Sequence, residues 1–267
     1  MKNQKHTEIT TLAQLLRKSP VQRIDEKEAE RRWIQHRMEH GFAGNAPLFT
    51  PPDANIKFEK TKERAIYGIS LAQHRLSGHN VCTNSTPECR KWCLGQNGKG
   101  GIPAVVNARV VRTLFLFQDP EAFVTLVAKE MDRCRVKHGD QFAVRLNTLS
   151  DVPWEHIAPW LFEENYDIWF YDYTKNAQRL LHTPQNYWLT FSASERTTEE
   201  QIVQIIGSGR NVAVVFNDPL PKTYLGYTVI DGDKSDARFL DPCNVIIGLK
   251  AKGSLRTSNS AFKVVAE

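Results

Sequence analysis

The 267-residue sequence has no long hydrophobic run. No stretch approaches the roughly 20 apolar residues that a membrane-spanning helix needs, so no membrane segment is expected. The opening "MKNQKHTEITTLAQ" lacks the apolar centre of a secretory signal, and the expected compartment is the cytoplasm. Cysteine is scarce as well. There are five, an odd number without the close, regular spacing of a disulfide-stapled domain. Internal repeats and low-complexity tracts are missing, and neither a Ser-His-Asp set nor an HExxH motif stands out.

The composition itself is that of a protein with a real core: 41% hydrophobic and 24% charged residues. A net charge of +5 and a pI near 8.9 permit contact with nucleic acid or a phosphorylated substrate without requiring either. Residues 1–58 read as a charged helical extension with a proline-marked linker. "TTLAQLLRKSP" and "DEKEAERRWIQHRMEHGF" have helical patterns, the second with Asp25 as a possible N-cap and Gly41 as a stop. His36 and His40 stand four apart on this helix and read as part of a solvated face.

Residues 59–267 alternate short apolar runs with helical stretches. The expected strands are "AIYGISLA", "FAVRLN", "IWFYDY", "YWLTFS", "NVAVVFN" and "NVIIGLK". Such runs suit parallel strands covered on both faces. The expected fold is α/β: a parallel sheet in a partial (β/α)6-type barrel with an N-terminal helical extension. In such a sheet the site lies at the C-terminal strand ends. The residues just past each run are polar, as in "NTLSD", "DYTKN", "SASE", "NDP" and "KAKG".

The scarce cysteines are also concentrated. Cys82, Cys89 and Cys93 fall within "CTNSTPECRKWC", just past the first expected strand. Cys89 and Cys93 are one helical turn apart, and Pro87 can bend the longer loop back toward them. A closed zinc site would need a fourth ligand from His74, His79, Cys134 or Cys243. An iron–sulfur cluster tolerates looser spacing, and three thiolates on a [4Fe-4S] cluster leave one iron open. The cluster is the first reading and zinc the alternative. Cys134 and Cys243 read as ordinary core residues. The following "LGQNGKGG" fails both the phosphate-loop and the dinucleotide patterns; its glycines suit a close backbone approach to the metal centre and its ligand.

Other candidates line the same expected rim. Asp172 suits a ribose hydroxyl or a cation, and Tyr173 suits stacking or hydrogen donation. With Lys175 they form the candidate catalytic set, a buried Asp–Lys pair being the structural alternative. Asn147, Ser150 and Asp151 follow the second strand, where Asp151 could equally cap a helix. Ser192 and Asn217, with Asp231, Asp233, Lys250 and Lys252, complete the rim; Ser192 and Asn217 join Asn147, Ser150 and Asp151 as candidate cofactor contacts.

Two resemblances follow. "SGHNVCTNSTPECRKWCLGQNGKGG", "RLNTLSDVPWE", "FYDYTKN", "LTFSASE", "IDGDKSDARFLDP" and "IIGLKAKG" resemble the phage and plasmid family called gene product 88, from roughly residue 65 to the end. That resemblance implies a mobile genetic element and a cytoplasmic protein, and no particular reaction. More distantly, three cysteines after the first strand resemble the radical S-adenosylmethionine (SAM) enzymes, although their commonest spacing, C-x3-C-x2-C, differs. This second likeness implies SAM at the open iron, an electron donor, and a turn at Asn147, Ser150 and Asp151 that holds the methionine amino group. The expected function is therefore a radical SAM-like enzyme acting on a nucleotide or nucleic acid. The alternative is a non-catalytic nucleic-acid-binding protein stapled by zinc or an iron–sulfur centre.

Overall fold

The computed structural model describes residues 20–96 and 98–265. Almost all of the first expected helix, "TTLAQLLRKSP", lies outside the described residues. The second is α1 (Glu26–Glu39), capped by the Asp25 side chain, which accepts from the Glu28 N–H. Ala29, Trp33 and His36 are buried along one side of α1. His36 is therefore not on a solvated face. Its Nε2 lies 3.0 Å from the Val111 carbonyl, and its ring packs against Trp33 and Phe115. The boundary drawn at residue 58 falls inside a short helix, α2 (Ile56–Lys60), and Ala29 and Trp33 belong to the main core.

Nine strands among the described residues form one open, mostly parallel sheet. β1 (Phe49–Thr50) pairs antiparallel with β2 (Ala65–Ile69). Then β3 (Phe142–Arg145), β4 (Trp169–Thr174), β5 (Tyr187–Ser192) and β6 (Val212–Phe216) follow in parallel, each beside its predecessor. A hairpin, β7 (Thr223–Tyr224) and β8 (Tyr227–Asp231), sits beyond β9 (Ile246–Lys250), which pairs with β6. All six expected strands are present. β1, β7 and β8 were not anticipated.

The connections carry the helices. α3 (Pro87–Lys91), α4 (Pro103–Gln118) and α5 (Pro120–His138) lie between β2 and β3. The stretch "PWEHIAPWLFEEN" forms two short helices, α6 (Trp154–Ile157) and α7 (Pro159–Glu163), because Pro159 interrupts the backbone ladder. α8 (Glu199–Gly207) follows β5, with a capping box made by Thr198 and Gln201. One large core joins these helices to alternate strand residues such as Val144, Phe170, Leu189 and Val214.

The opposite face of the sheet is covered differently. Phe58 of α2 packs there on Ile66, Ala143 and Tyr171. It comes so close to β2 that a Cβ at Gly68 would lie 2.6 Å from its ring, so only glycine fits.

A buried carboxylate fastens the strap that leads into β1. Glu130 of α5 accepts from the backbone N–H groups of Leu48 (2.6 Å) and Phe49 (2.8 Å). Glu130→Ala leaves both donors without a partner and is expected to lower unfolding stability by about 2–3 kcal/mol, read as a shift in the urea midpoint.

Candidate functional site

A cavity of about 260 Å3 opens at the C-terminal ends of the parallel strands. Cys82, Cys89 and Cys93 all line it. Their loop is held by its neighbours. The Asp151 N–H donates to the Val81 carbonyl (2.8 Å), which ties the loop after β2 to the loop after β3. The Cys82 sulfur accepts from the His74 N–H (3.3 Å) and donates to the Leu149 carbonyl (3.4 Å). His74 takes a left-handed φ of 51° at that turn.

Cys89 lies within α3, whose N-cap Thr86 accepts from the Cys89 N–H. Pro87 is therefore the first residue of this helix rather than a bend in the loop. Cys93 lies just past the helix end. Glu195, on the loop after β5, accepts from the Thr86 hydroxyl (2.7 Å) and the Glu88 N–H (3.3 Å), clamping the start of α3.

Burial dominates the acidity of the Cys82 and Cys93 thiols. It pushes Cys82 up to about 12, and the nearby charges of Asp151, Cys93 and Cys89 act in the same direction. Burial raises Cys93 too. The bare Cys82 and Cys93 thiols are thus held protonated, and a metal centre would have to displace those protons.

None of the four candidate fourth ligands lines the cavity. His79 stacks on Phe117 with ring centroids 4.3 Å apart, and Cys134 is buried in α5. Cys243 is exposed, not a core residue as expected. His74 contributes its backbone N–H to Cys82. Among the described residues, no three His, Cys, Asp or Glu side chains are gathered closely enough to hold a single ion.

The glycine-rich stretch serves a different neighbour from the one expected. Gly95 and Gly100 present their carbonyls to the Arg109 guanidinium, and a Cβ at Gly95 would lie 2.8 Å from Arg109. Gly95 and its neighbouring glycines do not line the cavity.

Of the candidate catalytic residues, Tyr173 and Lys175 line the cavity and Asp172 does not. The pleat of β4 turns Asp172 toward the helix side, where it is fully buried. It accepts from the Asn147 N–H (2.7 Å), the Asn147 side-chain amide (3.1 Å) and the Tyr187 hydroxyl (2.7 Å). Burial raises its pKa to about 7 against those bonds. Asp172 thus ties Asn147, at the end of β3, to Tyr187 of β5. The alternative reading as an Asp–Lys pair does not hold either, because Lys175 donates elsewhere, to the Ser192 carbonyl (3.1 Å), the Ser192 hydroxyl (2.9 Å) and the Ala193 carbonyl (3.2 Å). Burial pushes Lys175 down, while Cys89, Asp151, Glu195 and Cys82 lie close enough to hold it up.

Among the candidate cofactor contacts, Asn147, Ser150, Asp151 and Ser192 line the cavity. Asn217 does not; its N–H donates to the Val264 carbonyl at the end of β6. Asp151 is not a helix cap, since the N-cap of α6 is Pro153. Its carboxylate instead accepts from the Arg179 guanidinium and from the Lys175 N–H (2.9 Å). Arg179 in turn grips Glu155 at 2.6 and 2.8 Å and donates to the Tyr187 hydroxyl (3.2 Å). Asn147, Asp151, Glu155, Asp172, Arg179 and Tyr187 thus form one buried network beside the cavity.

Three cavity residues had no signal in the sequence. Lys57 reaches it from α2, Arg145 from the end of β3, and Trp92 from beyond α3. Arg145 pairs with Asp236 (2.9 Å), which also accepts from the Tyr171 hydroxyl (2.8 Å). A second, wider groove of about 690 Å3 adjoins and shares Ser85, Lys175 and Ser192 with the first. Arg75, Arg90 and Arg196 line it, and no carboxylate does.

The fold and cavity define a mixed α/β protein whose sheet mouth gathers three thiols. The chain belongs to the gene product 88 family, whose profile matches residues 44–265. The likeness therefore begins upstream of residue 65 and takes in the proline-rich strap and α2. No curated protein and no solved structure matches the chain. Among the described residues no helix is long and apolar enough to cross a membrane.

Lys57 offers a direct test of the cavity's electrostatics. Burial pushes its ammonium down to about 8; Arg145 and Lys252 push the same way, and Asp236 and Asp233 oppose them. The folded chain thus gives up this proton before the unfolded chain does, so burying the cation costs stability below pH 8, a cost relieved as pH rises toward 10.5. With 13C-methylated lysines, NMR titration should show one midpoint near 8. Lys252→Gln should raise that midpoint and Asp233→Asn should lower it.

Proposed function

We propose that the chain is an iron–sulfur enzyme of the radical SAM type, with Cys82, Cys89 and Cys93 holding a [4Fe-4S] cluster. The observation that carries this reading is the convergence of the three thiols on one strand-end cavity, with no fourth cysteine or histidine lining it. The loose C-x6-C-x3-C spacing in the chain favours a cluster over a structural zinc site, whose cysteines usually stand about two to four residues apart.

Bound there, the cluster would supply one-electron cleavage of SAM to a hydrogen-abstracting 5′-deoxyadenosyl radical, the electron coming from a separate donor protein. The chain's own residues do the rest. Lys175 sets a cation beside Cys89 and Cys82, offsetting the negative charge that thiolate ligands bring. Asp151, fixed by Arg179, presents its carboxylate at the cavity wall, suited to an ammonium group. The Tyr173 hydroxyl is buried and without a hydrogen-bond partner, free to donate to a ligand. Its pKa, raised by burial to about 12, keeps the proton on.

The finer fold reading belongs with this proposal. Six parallel strands in sequential order, β2 to β6 and then β9, suit a partial (β/α)6 barrel whose mouth is the cavity. A cytoplasmic protein of a phage or plasmid, acting on a nucleotide or nucleic acid, fits the family and the basic lining.

A second reading, a non-catalytic nucleic-acid-binding protein, is favoured by one observation: the groove lined by Arg75, Arg90 and Arg196 without a carboxylate. It predicts binding of a single-stranded oligonucleotide whose affinity falls steeply with salt. Arg90→Glu with Arg196→Glu should abolish that binding in a fluorescence anisotropy titration.

Anaerobic expression with iron and sulfide tests the first reading. The expected product is brown, with about four irons per chain and an electron paramagnetic resonance signal that changes on adding SAM. Changing all three cysteines to serine should remove the iron. A colourless protein carrying stoichiometric zinc would sink the proposal.

A further inference from the structure

We infer that Lys57, Arg145, Tyr173 and Lys252 form an anion subsite that takes a phosphoryl group of the substrate. The inference rests on the cavity being the substrate site, and it names the class of substrate. All four residues line the same cavity, and they come from separate elements: α2, the end of β3, β4 and the loop after β9.

Three of the four residues have a polar atom left wanting a partner. The Tyr173 hydroxyl and the Arg145 Nε are buried without a hydrogen-bond partner, and the Arg145 side chain is only 10% exposed. The Lys57 ammonium makes no hydrogen bond or ion pair with any described residue, although it is half-buried. Leaving such donors unmet is costly unless a ligand meets them.

Charge gives the sign of that ligand. Lys57, Arg145 and Lys252 bring three positive charges to this wall. Asp236 and Asp233 pair directly with Arg145 and Lys252, so the three cations outnumber the two acids by one, and Lys57 has no ion pair of its own among the described residues. The wall is also separate from the sulfur side. The charges acting on Lys57 are those of Asp236, Arg145, Lys252 and Asp233, whereas Lys175 senses Cys89 and Cys82. Donors that converge from several elements suit a tetrahedral oxyanion better than a planar carboxylate, which offers two oxygens in one plane.

Limited acetylation of the full-length protein, read by peptide mass spectrometry, tests the subsite with inorganic phosphate as the probe. Phosphate at millimolar concentration should protect Lys57 at least threefold, and acetate at equal ionic strength should not. By equilibrium dialysis, Lys57→Gln should weaken phosphate binding about tenfold, whereas Lys57→Arg retains it. Equal protection by acetate overturns the phosphoryl assignment, and absence of protection overturns the subsite. If a variant fails to fold, protection in the unaltered chain still decides. Iron measured in the same samples separates the two ideas. Protection without iron keeps the subsite and removes the cluster; iron without protection does the reverse.

Discussion

One guanidinium organises the mouth of this sheet. Arg179 is 4% exposed, yet it holds Asp151 and Glu155 together and touches Tyr187. Asp151 then passes its constraint outward. Its N–H fixes Val81, the residue before the first cysteine, and its carboxylate fixes the Lys175 backbone. Burying one cation between two anions costs desolvation that pairing only partly recovers. What the arrangement provides is position: two loops that would otherwise move independently share one anchor. Cys82 follows directly from that anchor, while Glu195 holds the start of the helix that carries Cys89.

The same economy of buried charge shapes the opposite wall. Asp236 is 1% exposed, and burial alone would raise its pKa. Arg145, Lys57 and the Tyr171 hydroxyl more than reverse this, so it stays charged. Each wall therefore couples a group that borders the cavity to a buried partner of opposite charge, Asp151 to Arg179 and Arg145 to Asp236. Much of the cavity's field is thus built into the fold.

Much of this architecture was legible in the chain. The six parallel strands announce themselves because each is a short, nearly continuous apolar run ending in polar residues. What was missed was short or disguised. β1 is two residues long, and α2 is five. The β7–β8 hairpin turns on Leu225 and Gly226, both at positive φ, where a leucine gives none of the usual Asn-Gly signal. Lys57 looked like any charged residue because nothing local tells that Phe58 will seat its helix against the sheet. Asp172 and Tyr173 are adjacent in sequence, but the strand pleat sends them to opposite faces, so only one could belong to the cavity. His36 was misjudged because its charged neighbours hide that the helix turns this one ring toward Trp33 and Phe115.

The two outermost strands, β1 and β7, span two residues each. A longer flat border would present a row of unsatisfied amides and carbonyls onto which another copy could zip. Here each border ends almost as soon as it begins, one giving way to Pro51 and Pro52 and the other to a tight reversal. A wide sheet with such brief margins offers neighbouring molecules little to template on, which favours solubility in a crowded cell.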